Sequence, residues 1–291
     1  MTNHKPQPSE PTFAQIRAMI AVLGDDRGPL QESAHRRLLT WGAMAVPLLK
    51  EGAEAAHMAT RTRCRSLLRE IEVRDLLHRF ARLRLEQIGR SSAPGLLDGA
   101  VMAAQMVRTF VPELRSLAAK LRRVANKLRR DCEGRSLPMC ARLLAERLHG
   151  ELGLSGCDAD ELDVEHVLID RALVNGVGAP IALSLVYLLV ARWAGLSAAG
   201  VALPNHFLVR VHGPRPLLLD PFHGGRVIPK ADCARYLRAS GYNRVRAHLR
   251  DLTDREVLIH YLRSLRRASN RRPSPHARAT LGKALDLLET S

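Results

Sequence analysis

The sequence predicts an α+β protein that is predominantly helical and contains one small antiparallel sheet. From Phe13 onward, apolar residues recur at the helical period over most of the chain. From about residue 200 to residue 228, the pattern changes to short alternating runs separated by turns that contain Gly and Pro. Helical spacing returns after Pro229. Helices on both sides of a short meander of strands are typical of an α+β fold.

The composition is ordinary for a globular protein: 46% of the 291 residues are hydrophobic and 25% are charged. The best membrane candidate, Ile181–Ala191, ends at Arg192 and is shorter than the roughly 18–20 residues of a membrane helix. Residues 1–12 are polar, contain three prolines and have no apolar run, which predicts a disordered tail and no signal peptide. We therefore expect a cytoplasmic protein that does not associate with membranes.

Cysteine usage favours the same location. The five cysteines, at positions 64, 132, 140, 157 and 233, are scattered and form no C-x-x-C pair. This pattern predicts reduced thiols, with neither disulfides nor a zinc site. We also predict that the protein uses no cofactor.

The formal net charge is +16, and most of the basic residues are arginines. Such an excess attracts nucleic acids, but a GC-rich bacterial genome produces the same bias without selection for binding. Aromatic residues make up only 4% of the chain, so platforms for base stacking are not evident.

Residues 13–75 carry four amphipathic helical patterns, which are interrupted at Gly24 and at Trp41-Gly42. The two helix pairs resemble HEAT-like repeats. Because a free-standing solenoid needs about three repeats, we expect these helices to dock on the rest of the chain.

The next segment, residues 76–152, is also predicted to be helical, with helices over Leu96–Phe110, Val111–Arg130 and Met139–Leu152. The middle helix has seven basic residues and no acid after Glu113, while its apolar residues keep helical spacing. A solvated basic face explains this pattern more simply than a binding surface does.

The segment over residues 153–230 has a different character. An acidic loop and a short helix over Val164–Val174 precede Ile181–Ala194, a helix whose first eleven residues carry no charge. The predicted strands are Gly200–Leu203, His206–Val211, Leu217–Asp220 and Phe222–Val227. The predicted divisions are a tail at 1–12, HEAT-like helices at 13–75, a second domain at 76–268 with its core at 153–230, and a linker and helix at 269–291.

His206 and Asp220 lie fourteen residues apart, each on a predicted strand that follows the start of the apolar helix. This order is that of a cysteine-type triad, in which a histidine activates a thiol at a helix N-terminus and an acid orients the histidine. Strands paired across a hairpin bring opposed side chains to about 5 Å, close enough for a hydrogen bond. We interpret the two residues as a His–Asp pair; the alternative is a core histidine bonded to backbone.

Three sequence elements carry a resemblance to a known family: G-A-P-I-A-L-S from residue 178, P-N-H-F from residue 204 and D-P-F-H-G-G from residue 220. In this order they resemble the SirB1 family over about residues 96–237. The resemblance implies a transglutaminase-like core in which His206 and Asp220 occupy the His and Asp positions of an ancestral triad. It places Pro180 where catalytic relatives have the nucleophilic cysteine, and Asn205 where the usual P-G-H-F motif has glycine.

The same elements predict a pocket lined by Gly178, Ser184, Asn205, Phe207, Phe222 and His223. Two residues could serve as a displaced nucleophile, and both are weak candidates. Ser184 lies one turn inside the helix, and the carboxylates beside Cys157 would raise the pKa of its thiol. His223 could add to a polar pocket or a metal site, but no H-x-x-x-H motif or carboxylate pair supports metal binding, so we predict none.

Three functions remain open at this point. The preferred one is a non-enzymatic scaffold whose helices bind a protein partner, because proline favours the first position of a helix but supplies no nucleophile. The second is a cysteine-type hydrolase or transferase with a displaced nucleophile. The third and weakest is nucleic-acid association through the arginine-rich helices.

Overall fold

The structure is a computed structural model that describes residues 10–25, 28–85, 94–108, 114–158, 163–270 and 275–290. The chain divides into two compact units, Met1–His78 and Arg79–Ser291. Most of the tail predicted at 1–12 lies outside the described residues, as does 271–274 in the predicted linker. None of the described helices is long and apolar enough to cross a membrane.

The first unit is helical. Its helices are α1 (Phe13–Leu23), α2 (Gly28–Trp41), α3 (Val46–Gly52) and α4 (Met58–Ala81), the last of which continues a few residues into the second unit. Thr12 and Gln15 form a capping box that starts α1. The apolar faces of the helices share one core, which includes Ile16, Leu23, Leu38, Leu49, Cys64 and Leu67.

The second unit combines helices with a small sheet. Its helices are α5 (Pro94–Val107), α6 (Leu114–Cys132), α7 (Leu137–Ala145), α8 (Val164–Val167), α9 (Ile169–Asn175), α10 (Pro180–Trp193), α11 (Lys230–Ala239), α12 (Val245–His248), α13 (Asp254–Ala268) and α14 (Pro275–Thr290). Its strands are β1 (Ser155–Gly156), β2 (Val177–Gly178), β3 (Ala198–Leu203), β4 (His206–Val211), β5 (Leu217–Asp220) and β6 (Arg226–Ile228). The predicted fold class, α+β with a predominance of helix, is confirmed.

Strands β3 to β6 form an antiparallel meander in sequence order, and β1 pairs with β2 in a separate parallel ladder. Helix α10 packs against β3, β4 and α6. Every side chain of α10 from Ile181 to Arg192 is buried, which explains why this segment carries so little charge. A smaller apolar core that includes Leu208, Cys233 and Leu237 joins the sheet to α11 and α12.

Arg192 fixes the C-terminal end of α10. Its guanidinium donates to Oδ1 of Asp254 at 2.6 Å and to the carbonyl of Ala198 at 2.9 Å. Both charged side chains are almost fully buried. Since a buried charge is tolerated only when it is paired and hydrogen-bonded, this contact ties α10 to the start of β3 and to the start of α13.

Three predicted elements differ in the structure. The helix expected over Met139–Leu152 is α7 followed by a π-helical segment, Glu146–Glu151. The strand expected over Phe222–Val227 is a turn of 3₁₀ helix, Pro221–His223, followed by two glycines with positive φ and by the shorter β6. The Asp220 carboxylate accepts the amide of His223 and so holds the turn. The single helix expected over Val164–Val174 is two helices, because Leu168 has extended backbone angles.

Candidate functional site

His206 opens β4 and Asp220 closes β5, and their side chains meet. The Nε2 atom of His206 lies 2.9 Å from Oδ1 of Asp220. The strand register pairs Val209 with Leu219, and continuing it by one residue places Asp220 opposite Leu208. His206 is therefore a diagonal neighbour of Asp220 on the same face of the sheet, and not the directly opposed residue that the sequence suggested.

Asp220 accepts hydrogen bonds from a second histidine as well. His223 Nδ1 lies 2.8 Å from Oδ2, and the backbone amide of His223 lies 3.3 Å from Oδ1. Arg226, which pairs with Asp220 across β5 and β6, brings its guanidinium to 3.8 Å from Oδ2. The Asp220 side chain is thus almost completely enclosed by partners and is only 4% exposed.

These partners determine the charge of Asp220. Burial raises the pKa of its carboxyl group, but the hydrogen bonds and charges of His206 and His223 outweigh burial and lower that pKa to about 2. Asp220 is therefore a carboxylate at neutral pH. It can hold the His206 ring in one orientation, which is the role of the acid in a triad.

A cavity of about 420 Å³ lies beside the His–Asp pair. Its wall includes Cys157, Ala179, Pro180, Ile181, Asn205, His206, Phe207, Phe222, His260, Ser264 and Arg267. Among the described residues, none forms a hydrogen bond with Nδ1 of His206, since its bond to Asp220 uses Nε2. The second ring nitrogen is thus without a hydrogen-bond partner in the described part of the chain.

Pro180 is the first residue of α10 and forms part of the cavity wall. The preceding residue, Ala179, has extended backbone angles and makes no side-chain cap. Proline suits this position because its fixed φ matches the helix and its missing N–H would have no intrahelical partner. The position that carries the positive end of the α10 dipole therefore holds no nucleophile.

Cys157 also lines this cavity, directly after β1, where its amide donates to the carbonyl of Gly178 at 3.1 Å. Burial is the main cause that raises the pKa of the Cys157 thiol, and the charge of Asp158 adds to it. A thiol with a raised pKa stays protonated at neutral pH and is a poor nucleophile. Of the other acids in this loop, those at 160 and 161 lie outside the described residues, and Asp163 caps α8.

Ser184 does not line the cavity. It is completely buried, and its hydroxyl donates to the carbonyl of Phe207 at 3.1 Å, which attaches α10 to β4. Gly178 is likewise absent from the cavity wall, because β2 packs it against Leu183 and Ala172. Both residues support the site from behind and do not form the wall of this cavity.

The sequence analysis missed the polar cavity residues on α13, which are His260, Ser264 and Arg267. They lie at intervals of four and three residues, so they share one helix face. Polar residues at this spacing are equally typical of a solvated face, so the pattern alone did not point to the site.

Asn205 joins α13 to the β3–β4 turn. It is the non-glycine residue with positive φ (55°) in the described part of the chain, a conformation that glycine and asparagine adopt most readily. Its Oδ1 accepts a hydrogen bond from Arg267 at 3.3 Å. Asparagine therefore tolerates this backbone conformation and adds a contact across the cavity.

The basic helix α6 makes several contacts within its own unit. The Arg122 guanidinium lies over the Trp193 ring at 4.6 Å, Lys120 donates to the carbonyl of Leu173, and Lys127 lies 3.2 Å from Glu151. Part of the cationic surface expected from the sequence is thus occupied by structural contacts.

Comparison with known families agrees with this arrangement. A model described as "Transglutaminase-like superfamily" matches residues 109–263, more than half of the chain. The chain belongs to the transglutaminase-like superfamily. The matched region of this superfamily member holds α10, both strands of the His–Asp pair and most of α13.

Two relatives of this superfamily member come from Xylella fastidiosa, and each is described as "UPF0162 protein". The chain is 36% identical to the protein of strain 9a5c over 103 residues, which are 35% of this chain and 34% of the relative. It is 36% identical to the protein of strain Temecula1 over 80 residues, which are 27% and 28%. The chain thus spans about a third of the length of these relatives. No solved structure gives a significant match.

Proposed function

We propose that this chain is a catalytically inert, SirB1-type member of the transglutaminase-like superfamily that serves as a protein-interaction scaffold. One observation carries the proposal: Pro180 occupies the first position of α10, in the wall of the cavity that His206 also lines. Acyl transfer through a covalent intermediate needs a nucleophile for the general base to activate, and this position supplies none.

In this proposal the His206–Asp220 pair has a structural role. It connects the start of β4 with the end of β5, and the same carboxylate holds the Pro221–His223 turn. A buried carboxylate needs hydrogen-bond partners whether or not the site reacts, so the pair has a use without catalysis.

The helices of the first unit are proposed to supply the partner-binding surface, as HEAT-like hairpins do. This is supported by four large hydrophobic side chains that are exposed on this unit: Phe13, Leu30, Met44 and Met58. Phenylalanine and methionine, which make up three of these four residues, are enriched at protein-protein interfaces. The five unpaired cysteines are in keeping with a cytoplasmic location.

The alternative function is a cysteine-type hydrolase that uses Cys157, because this thiol and His206 line the same cavity. The raised pKa of Cys157 argues against it. A direct experiment distinguishes the two proposals. Wild-type protein and the variant Cys157→Ser are incubated at pH 7 with chromogenic esters and amides, and in a separate assay with iodoacetamide.

The scaffold proposal expects no turnover by either protein and slow alkylation of Cys157, at a rate within the range of the other buried cysteines. If the wild-type protein turns over a substrate and Cys157→Ser does not, the hydrolase proposal replaces the scaffold proposal. For the scaffold role itself, affinity capture with the full chain and with a chain that lacks residues 1–75 should give a partner that binds only the full chain. A partner retained by the truncated chain would contradict the assignment of the binding surface.

A further inference from the structure

We propose that His206, Asp220 and His223 form a binding site for a divalent first-row transition-metal ion such as Zn²⁺. This inference goes beyond the scaffold role and does not depend on it. One ligand atom from each of the three residues can be chosen so that all lie within 4.8 Å of one another. The spacing of these residues along the chain did not predict a metal site; the fold brings them together.

The separations between the ligand atoms are somewhat shorter than those around one ion. Two ligands that are each about 2.1 Å from a tetrahedral metal ion lie about 3.4 Å apart. The observed separations are 2.9 Å from His206 Nε2 to one carboxylate oxygen of Asp220 and 2.8 Å from His223 Nδ1 to the other. Both nitrogens already face the carboxylate. When an ion binds, the proton of each neutral imidazole moves to its other ring nitrogen, and each ligating nitrogen moves about 0.5 Å away from the carboxylate.

The donor set selects the class of ion. Two imidazole nitrogens and one carboxylate suit Zn²⁺ and the neighbouring transition metals. Ca²⁺ and Mg²⁺ prefer sites made entirely of oxygen atoms, so neither is expected to bind here.

The three side chains are held in place by the fold. His206 is fixed at the first residue of β4, and its ring packs edge-on against Phe222 with 5.8 Å between ring centroids. His223 is fixed by the 3₁₀ turn, in which its amide also bonds Asp220. A site whose ligands are oriented before binding loses less conformational entropy when the ion enters.

The site opens on a second cavity of about 550 Å³, whose wall includes all three proposed ligands. An ion held by three protein ligands would keep at least one position for water or for a small ligand, as metal sites with three protein ligands do. Arg226 opposes cation binding, because its guanidinium lies 3.8 Å from Oδ2 of Asp220. Its side chain is 61% exposed, so solvent screens this repulsion and the side chain is free to turn away.

The chain offers a matched control. His212 Nε2 lies 3.2 Å from Oδ2 of Asp251, a part-buried His–Asp contact without a second histidine. Among the described residues, one group brings three possible metal ligands together, and it consists of His206, Asp220 and His223. Metal binding that depends on this group should therefore be lost with His223→Ala and kept with His212→Ala.

The experiment uses tag-free, full-length protein that has been treated with a chelator and dialysed. Co²⁺ is titrated while the visible absorption is recorded, and Zn²⁺ is then added as a competitor. We expect one ion per chain, ligand-field bands without thiolate charge-transfer bands, displacement by Zn²⁺, and a melting temperature that rises with Zn²⁺. His223→Ala and Asp220→Asn should each weaken binding by at least about tenfold, whereas His212→Ala should not change it.

Melting curves of the metal-free variants show whether each is folded. His223 is half-exposed, so His223→Ala is expected to fold even if Asp220→Asn does not. Absence of binding at millimolar Co²⁺ and Zn²⁺, binding that survives His223→Ala, or thiolate bands that Cys132→Ser removes would each overturn the proposal.

Discussion

Nε2 of His206 lies 2.9 Å from Oδ1 of Asp220, although the strand register makes the two residues diagonal neighbours on the sheet. The contact forms because both side chains project from the same face and because Asp220 stands at the end of its strand. One oxygen of the carboxylate accepts from His206 while the other meets His223. The arrangement is that of an oriented general base. The residue at the start of α10, in the wall of the same cavity, is Pro180, which supplies no nucleophile.

Replacement of His206 tests the structural role of this pair. His206→Ala leaves one side of the buried Asp220 carboxylate without its partner, and an unsatisfied buried acceptor costs about 1–3 kcal/mol. We expect a loss of stability in this range, measured by urea unfolding. His223→Ala, at a half-exposed position, should lose less. Equal stability of His206→Ala and wild type would show that the pair does not stabilise the fold.

The buried ion pair between Arg192 and Asp254 should matter more for stability. Asp254→Ala leaves a buried guanidinium unpaired, and such a change typically destabilises by about 3–5 kcal/mol. The exposed pair Arg263–Glu289, at 2.9 Å, is the matched control, and Glu289→Ala should lose less than about 1 kcal/mol. Chemical denaturation of both variants makes the comparison. Similar losses for the two would mean that burial does not govern the contribution of the Arg192 pair.

Two substitutions of Asn205 separate backbone strain from the side-chain contact. Both Asn205→Ala and Asn205→Gly remove the bond to Arg267, but only alanine is strained at a φ of 55°. We expect the alanine variant to be about 1 kcal/mol less stable than the glycine variant. Thermal unfolding of the two variants measures this difference in stability. An alanine variant as stable as the glycine variant would contradict the left-handed conformation at this position.

Glu256 is expected to make α13 sensitive to acid. The hydrogen bond from Arg250 is the main cause that lowers the pKa of Glu256 from 4.5 to about 2, and the amide of Thr253 adds to it. Because this pKa is lower in the folded than in the unfolded state, the stabilisation is present above about pH 4.5 and is lost as the pH falls towards 2.

The comparison with Glu256→Gln measures this effect. The wild type should melt at a higher temperature than the variant at pH 7, by an amount that corresponds to about 1 kcal/mol for this partly exposed group. The difference should narrow below pH 4.5. A difference in melting temperature that stays constant down to pH 2.5 would show that Glu256 is not the source of the acid sensitivity.

Local sequence pattern was sufficient for the central elements. The predicted bounds of His206–Val211 and Leu217–Asp220 coincide with β4 and β5, because alternation and turn residues specify strands directly. The uncharged run from Ile181 likewise predicted a buried helix, and α10 is that helix.

The parts of the site that sequence reasoning missed depend on long-range packing. Ser184 turns its hydroxyl to the carbonyl of Phe207, and no local pattern indicates which face of a wholly buried helix meets the sheet. His260 and Arg267 reach the cavity from α13, more than fifty residues along the chain from His206. The second histidine at Asp220 results from the 3₁₀ turn, which a strand-like pattern at Phe222 concealed.

The central claim is that this cavity lacks only its nucleophile, and Pro180→Cys tests it most directly. A thiol at the start of α10 would experience the helix dipole and the imidazole of His206, both of which favour the thiolate. The measurement is the rate at which iodoacetamide labels each cysteine at pH 7, followed by mass spectrometry, in Pro180→Cys with and without His206→Ala.

The account predicts that the cysteine at position 180 is labelled at least about tenfold faster than any native cysteine, and that His206→Ala removes most of this advantage. A new thiol no more reactive than Cys132, the half-buried native cysteine, would contradict the account. Fast labelling of Cys157 in the wild-type protein would contradict it equally.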